Sequence, residues 1–149
     1  MMRIITTMFP LLVLPVVVYN LIAISAGASV EPSAPPALTS LNATLFKMPM
    51  ISGVSWRIGV GDALLAFGLC VLFVEIVKST STQSAAIMNH AASMFLLVFC
   101  LIEFLLFRNF ATSTFFLLTM MCFLDVLAGV MVTIVSARRD FGVSGGIVN

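Results

Sequence analysis

A chain of 149 residues that is 61% hydrophobic and only 9% charged, with a mean hydropathy of +1.20, lies far from the soluble average of about 25% charged and 45–50% apolar residues. That composition excludes an ordinary soluble fold, and a formal net charge of +1 supplies no basic field for nucleic acid. One domain's worth of residues is available, and spanning segments use up most of it, so no soluble catalytic domain and no enzymatic activity are expected.

The first apolar run covers about residues 6–26, TTMFPLLVLPVVVYNLIAISA, after a single Arg3. Ala26-Gly27-Ala28 resembles a leader cleavage site, but the run is long for a leader core and carries one preceding charge, so it reads as a retained span. Pro10 and Pro15 each lack a backbone donor and would free carbonyls at Thr6 and Leu11, which predicts a bend.

Residues 27–36 are rich in Pro and Ser and read as loop. Leu38, Leu41, Leu45 and Met48 then recur at helical spacing, with Asn42, Thr44 and Lys47 on the other face and Pro49 as a stop. Too short to span, this segment predicts an amphipathic helix lying on the membrane surface, a character continued by Met50, Ile51 and Trp56.

The second span is expected over about 60–77, with Gly61, Leu65, Gly68, Leu72 and Glu75 on one stripe, Asp62 beside it and Lys78 just beyond. Small residues on such a stripe let helix backbones approach closely. A polar turn, Ser79 to Ser84, leads to the third span, about 85–107. Here Ala85, Asn89, Ser93, Leu96, Cys100, Glu103 and Phe107 share a face, and lipid would penalise that face unless it turned toward other helices. After Arg108-Asn109 the fourth span covers about 111–136, with Cys122, Asp125, Gly129 and Ser136 on one side. It is expected to stop at Ala137-Arg138-Arg139-Asp140, leaving Gly142 to Asn149 as a loose tail.

Four antiparallel spans sort the polar residues by depth. Asn20, Asp62, Glu103 and Arg108 fall near one membrane face; Glu75, Lys78, Asn89 and His90 fall near the other; Asp125 is left near the middle. A charged Asp at the bilayer centre costs about 2.5–3.5 kcal/mol on insertion scales, so it must be protonated, paired or beside water. These residues suit either of two roles, interhelical ties or a proton or cation relay. His90 is the sole histidine, which argues against a haem site, and no cofactor is expected. Cys70, Cys100 and Cys122 show no metal-site spacing and read as small buried hydrophobes. No Gly-x-Ser-x-Gly elbow or phosphate-cradling glycine loop is present. The 13 Phe read as lipid-facing surface or as contacts to a neighbouring subunit.

Gly61-Asp62-Ala63 through Phe73-Val74-Glu75-Ile76-Val77-Lys78, then Thr112-Ser113-Thr114-Phe115-Phe116-Leu117-Leu118-Thr119 and Ala137-Arg138-Arg139-Asp140-Phe141, resemble small uncharacterised four-helix inner-membrane proteins of alphaproteobacteria. The resemblance covers the C-terminal part of the chain. It implies a topology and a location in the bacterial inner membrane, and no activity.

Together these readings predict an all-α polytopic membrane protein of four transmembrane helices, with an interfacial amphipathic helix between the first two. Arg3, Lys78, Arg138 and Arg139 would face inward against Lys47, Arg57 and Arg108 outward, which places both termini in the cytoplasm. The expected partners are the lipid bilayer and other membrane subunits or further copies of the chain. The expected role is that of an accessory or scaffold subunit, with a small proton- or cation-coupled transporter, working as an oligomer, as the alternative.

Overall fold

A computed structural model describes the backbone of residues 9–27, 34–79 and 84–144, and all their side chains except those of 79, 84–87 and 136–144. The expected first-span start at Thr6 with Arg3, the middle of the 27–36 loop, the turn at 80–83 and the tail beyond 144 lie outside the described residues. So do the side chains of Ala85, Ser136, Arg138 and Arg139.

Helix α1 spans Val13–Ser25 and begins between the two prolines. Pro15 therefore sits in the first turn, where an N–H would have no intrahelical acceptor, and its missing donor costs nothing there. The Leu11 carbonyl accepts from Leu14 N–H at 2.9 Å. The expected mid-helix bend is thus replaced by a helix start.

Helix α2, Ala37–Leu41, ends after five residues. The interfacial helix expected over Leu38 to Met48 does not form beyond it: β1 (Thr44–Pro49) pairs antiparallel with β2 (Ser55–Gly59) in a two-stranded sheet. Gly53, at φ +83°, permits the turn between them, closed by Met50 N–H to Val54 C=O at 2.9 Å and Gly53 N–H to Met50 C=O at 3.0 Å. A ten-residue helix carries four unpaired groups at each end, whereas the hairpin pairs the same backbone with residues 55–59. The fold is helical with one small hairpin.

Three long helices follow: α3 (Val60–Ser79), α4 (Ser84–Leu106) and, after a 3₁₀ turn at Arg108–Phe110, α5 (Ser113–Ser144). Val60–Lys78, Met88–Leu106 and Ser113–Val135 are each long and apolar enough to cross a bilayer, with mean hydropathies of 2.2, 1.8 and 2.3. Helix α1 is apolar but shorter, 13 residues. Helix α5 continues through Ala137-Arg138-Arg139-Asp140 to Ser144 instead of ending at 136. The charged run does not interrupt the helix.

Helix α5 lies between α3 and α4, which touch little beyond their connecting end, and α1 packs against both α2 and α3. Gly61 and Gly68 of α3 mark its parallel approach to α5: a Cβ on Gly61 would lie 2.9 Å from Thr114 Oγ1, and one on Gly68 3.1 Å from Leu118 Cδ2. Helix α4 runs antiparallel to α5. Phe104 meets Phe116 with ring centroids 5.7 Å apart, Cys100 meets Cys122, Ser93 faces Asp125, and the His90 ring packs on Gly129. Gly61, Gly68, Ser93, Cys100, Cys122, Asp125 and Gly129 lie on the stripes read from the sequence, whereas Phe104, Phe116, His90, Thr114 and Leu118 do not.

Beside an apolar core that includes Leu12, Tyr19, Phe115 and Leu118, the burial pattern departs from that of a soluble protein. Glu75, Asn89, Ser93, Glu103, Thr112, Thr119 and Asp125 are buried, while Phe73, Phe95, Leu105 and Leu106 are among the large apolar side chains left exposed. Exposed apolar surface on helices of this length suits acyl chains, and buried polar groups need partners inside the protein.

Candidate functional site

Glu75 anchors the polar cluster at one end of the bundle. Its place on the small-residue face of α3 buries it completely, at 0% exposure, and a buried carboxylate needs donors around it. Oε2 accepts the Leu11 backbone N–H at 2.7 Å, an amide at the entrance to α1 with no intrahelical partner. Oε1 accepts Asn89 Nδ2 at 2.6 Å and pairs with Lys78 Nζ at 3.3 Å. Lys78 also donates to Asn89 Oδ1 at 3.0 Å and to the Phe9 carbonyl at 2.8 Å. One ion pair and one amide thus tie the start of α1, the end of α3 and the start of α4.

A second cluster lies at the opposite end. Asn20 Nδ2 donates to Glu103 Oε2 at 3.2 Å and to the Val16 carbonyl at 3.1 Å, joining α1 to α4. From the adjacent position, the Tyr19 hydroxyl donates to the Asn109 carbonyl at 3.0 Å and shares a 2.5 Å hydrogen bond with Thr112 Oγ1. The Tyr19 ring packs at a tilt against Phe115 and Phe110, at centroid separations of 4.6 and 5.6 Å. Asn109 Nδ2 reaches back to the Ala23 carbonyl at 2.8 Å, and Arg108 donates to the Ala34 carbonyl at 3.2 Å.

Asp125 belongs to a third layer. It is buried on α5 facing α4, where the Ser93 hydroxyl points toward it and Glu75, Lys78 and His90 lie around it. Ser93 Oγ is buried and makes no hydrogen bond among the described residues. His90 stands beside this layer with its ring filling the space that a Gly129 side chain would occupy.

Asp62 joins none of these layers. It is exposed and accepts the Gly59 N–H at 2.9 Å through Oδ2, the return half of a capping box at the start of α3. It borders an open hollow of about 280 Å³ together with Asn42, Thr44, Arg57 and Thr114.

The structure therefore unites Glu75 with Asn89 and Asn20 with Glu103, and leaves Asp62 apart from Asn20 and Glu103. It adds the Leu11 amide and the Tyr19–Thr112 pair, which sequence reasoning did not select. The signal for the second was present: Tyr19 is the single tyrosine of the chain, and a buried phenol requires a polar partner. Among the described residues no group of three or more His, Cys, Asp or Glu could hold a metal ion.

No protein-family model, curated protein or solved structure matches the chain. The chemistry of the site is read from its own geometry.

Proposed function

We propose that the chain is a multi-pass membrane protein acting through helix–helix contacts, as an accessory or scaffold subunit of a larger membrane complex or of its own oligomer. The observation that carries this reading is Glu75: both carboxylate oxygens accept hydrogen bonds, from donors that link three helices. A carboxylate so engaged works as a tie. The outward apolar faces of α3, α4 and α5 are then available to lipid or to neighbouring subunits.

In the same reading α1, together with residues before it, forms a fourth span. Thirteen helical residues cover only about 20 Å of a hydrocarbon core about 30 Å thick. Both termini then lie in the cytoplasm of a bacterial inner-membrane protein, a location that the resemblance of the C-terminal motifs also supports.

One observation favours a second reading, proton- or cation-coupled transport. The buried Ser93 hydroxyl, unpaired among the described residues, faces a buried Asp125, a pairing that could admit a proton or a small cation. Asp125→Asn separates the two. Loss of a pH-dependent flux in proteoliposomes with intact assembly supports transport. Weakened co-purification of partner subunits, with no flux to lose, supports the scaffold.

A further inference from the structure

The hairpin carries an unpartnered face that the helix contacts leave unused. In its register Phe46 lies opposite Ile58, Lys47 opposite Arg57, Met48 opposite Trp56 and Pro49 opposite Ser55. Cross-strand partners share a face and successive residues alternate, so Phe46, Met48, Trp56 and Ile58 line one side while Lys47 and Arg57 stand together on the other. The turn pair Met50 and Val54 extends the apolar side. Phe46, Met48, Met50, Val54 and Trp56 are each 45–67% exposed, and the hairpin meets the described helices mainly at its root, where β2 enters α3.

Two features say what covers this face. Arg57 borders the hollow with Gly61, Asp62 and Thr114, so the cationic pair stands beside the helix ends, while Phe46, Met48 and Trp56 on the opposite face stay exposed. Gly59 is followed directly by Val60, the first residue of a segment built to cross a bilayer, so the hairpin is held at the level where headgroups meet acyl chains. Like charges directly opposite each other destabilise a sheet. Among the described residues no carboxylate pairs with Lys47 or Arg57, and Asp62 in the same hollow is taken by Gly59. Anionic phosphates relieve that repulsion.

We propose that the hairpin Thr44–Gly59 is an amphipathic lipid-contacting element, its Phe46–Met48–Trp56 face set into the headgroup–acyl boundary and its Lys47–Arg57 pair binding the phosphates of anionic phospholipids. It rests on the bilayer reading of α3–α5 and is independent of the accessory role. A two-stranded hairpin is marginal in water; a bilayer surface gives it the second layer it lacks.

Trp56 is the single tryptophan of the chain, so its fluorescence in the full-length protein, reconstituted into phosphatidylcholine–phosphatidylglycerol vesicles, reports this contact alone. Lipids brominated near the headgroup end should remove roughly half or more of the emission, with aqueous acrylamide removing little. A tryptophan moved to the other face (Ser55→Trp in a Trp56→Phe background) should show the reverse. Brominated phosphatidylglycerol should quench Trp56 more than brominated phosphatidylcholine, and Lys47→Gln with Arg57→Gln should abolish the difference. Trp56 quenched by acrylamide alone overturns the proposal in favour of a hairpin standing in water. Trp56 protected from both quenchers overturns it in favour of a second copy or another protein on this face. Failure to enter vesicles removes the bilayer reading itself, whereas an aqueous Trp56 in protein that has entered removes only the hairpin's role.

Discussion

The backbone N–H of Leu11 donates to Glu75 Oε2 at 2.7 Å across 64 positions of sequence, so an acid near the end of α3 completes the start of α1. The same carboxylate holds Lys78 and Asn89, so one side chain ties the start of α1 to α3 and α4.

Replacing Glu75 by Ala strands the Lys78 charge and the Leu11 amide together, and loss of one partner of a buried ion pair costs about 3–5 kcal/mol. Glu75→Ala should lower the thermal midpoint in detergent far more than the double change Glu75→Leu with Lys78→Leu, which removes both charges. Equal loss in the two variants would show that packing, not the uncompensated charge, sets the cost.

The contact between His90 and Gly129 predicts a rescue. A Cβ at 129 would overlap His90 Nδ1 and lie 3.0 Å from Cε1, so Gly129→Ala should cost about 1–3 kcal/mol through overpacking. Adding His90→Ala should recover most of it. The coupling energy from a double-mutant cycle is the measurement, and additivity of the two changes would contradict the contact.

Tyr19→Phe keeps the ring against Phe115 and deletes only the hydroxyl, leaving Thr112 Oγ1 and the Asn109 carbonyl with one partner fewer. The expected loss is about 1 kcal/mol. In a Thr112→Val background the same change should cost less, as read from unfolding midpoints.

Topology gives a fourth test. With α1 completing a span, reporter fusions before Arg3 and after Asn149 should both report the cytoplasm. If α1 stays on the surface, the three long helices put the two ends on opposite sides.

The helical stripes were legible because burial repeats with the helix period. Gly61, Gly68 and Glu75 on α3, and Asn89, Ser93, Cys100 and Glu103 on α4, are all buried where a 3.6-residue repeat puts them. Phe107 is not: it ends up exposed beyond the last turn of α4. The hairpin was not legible because Leu38, Leu41, Leu45 and Met48 fit a helix, while Phe46, Met48 and Met50 fit a strand equally well. What decides between them is the pairing with Ser55–Gly59 and the positive φ of Gly53, and neither is encoded in the spacing of one segment. Depth put Asn20 at one level with Asp62, Glu103 and Arg108, and the fold selects the Asn20–Glu103 pair from among them. Depth gave no sign of the Leu11–Glu75 bond, since it ranks side chains and says nothing of a main-chain amide left without an intrahelical acceptor at the start of α1.

Helix α5 separates α3 from α4 and supplies the surface against which Gly61, Gly68, Ser93 and Cys100 close. During biogenesis the two earlier hydrophobic segments therefore leave the ribosome joined at one end only, with their narrow grooves open until the last segment arrives. A nascent chain halted before residue 113 should stay bound to the insertion machinery, and release into the bilayer should follow the entry of that final rod.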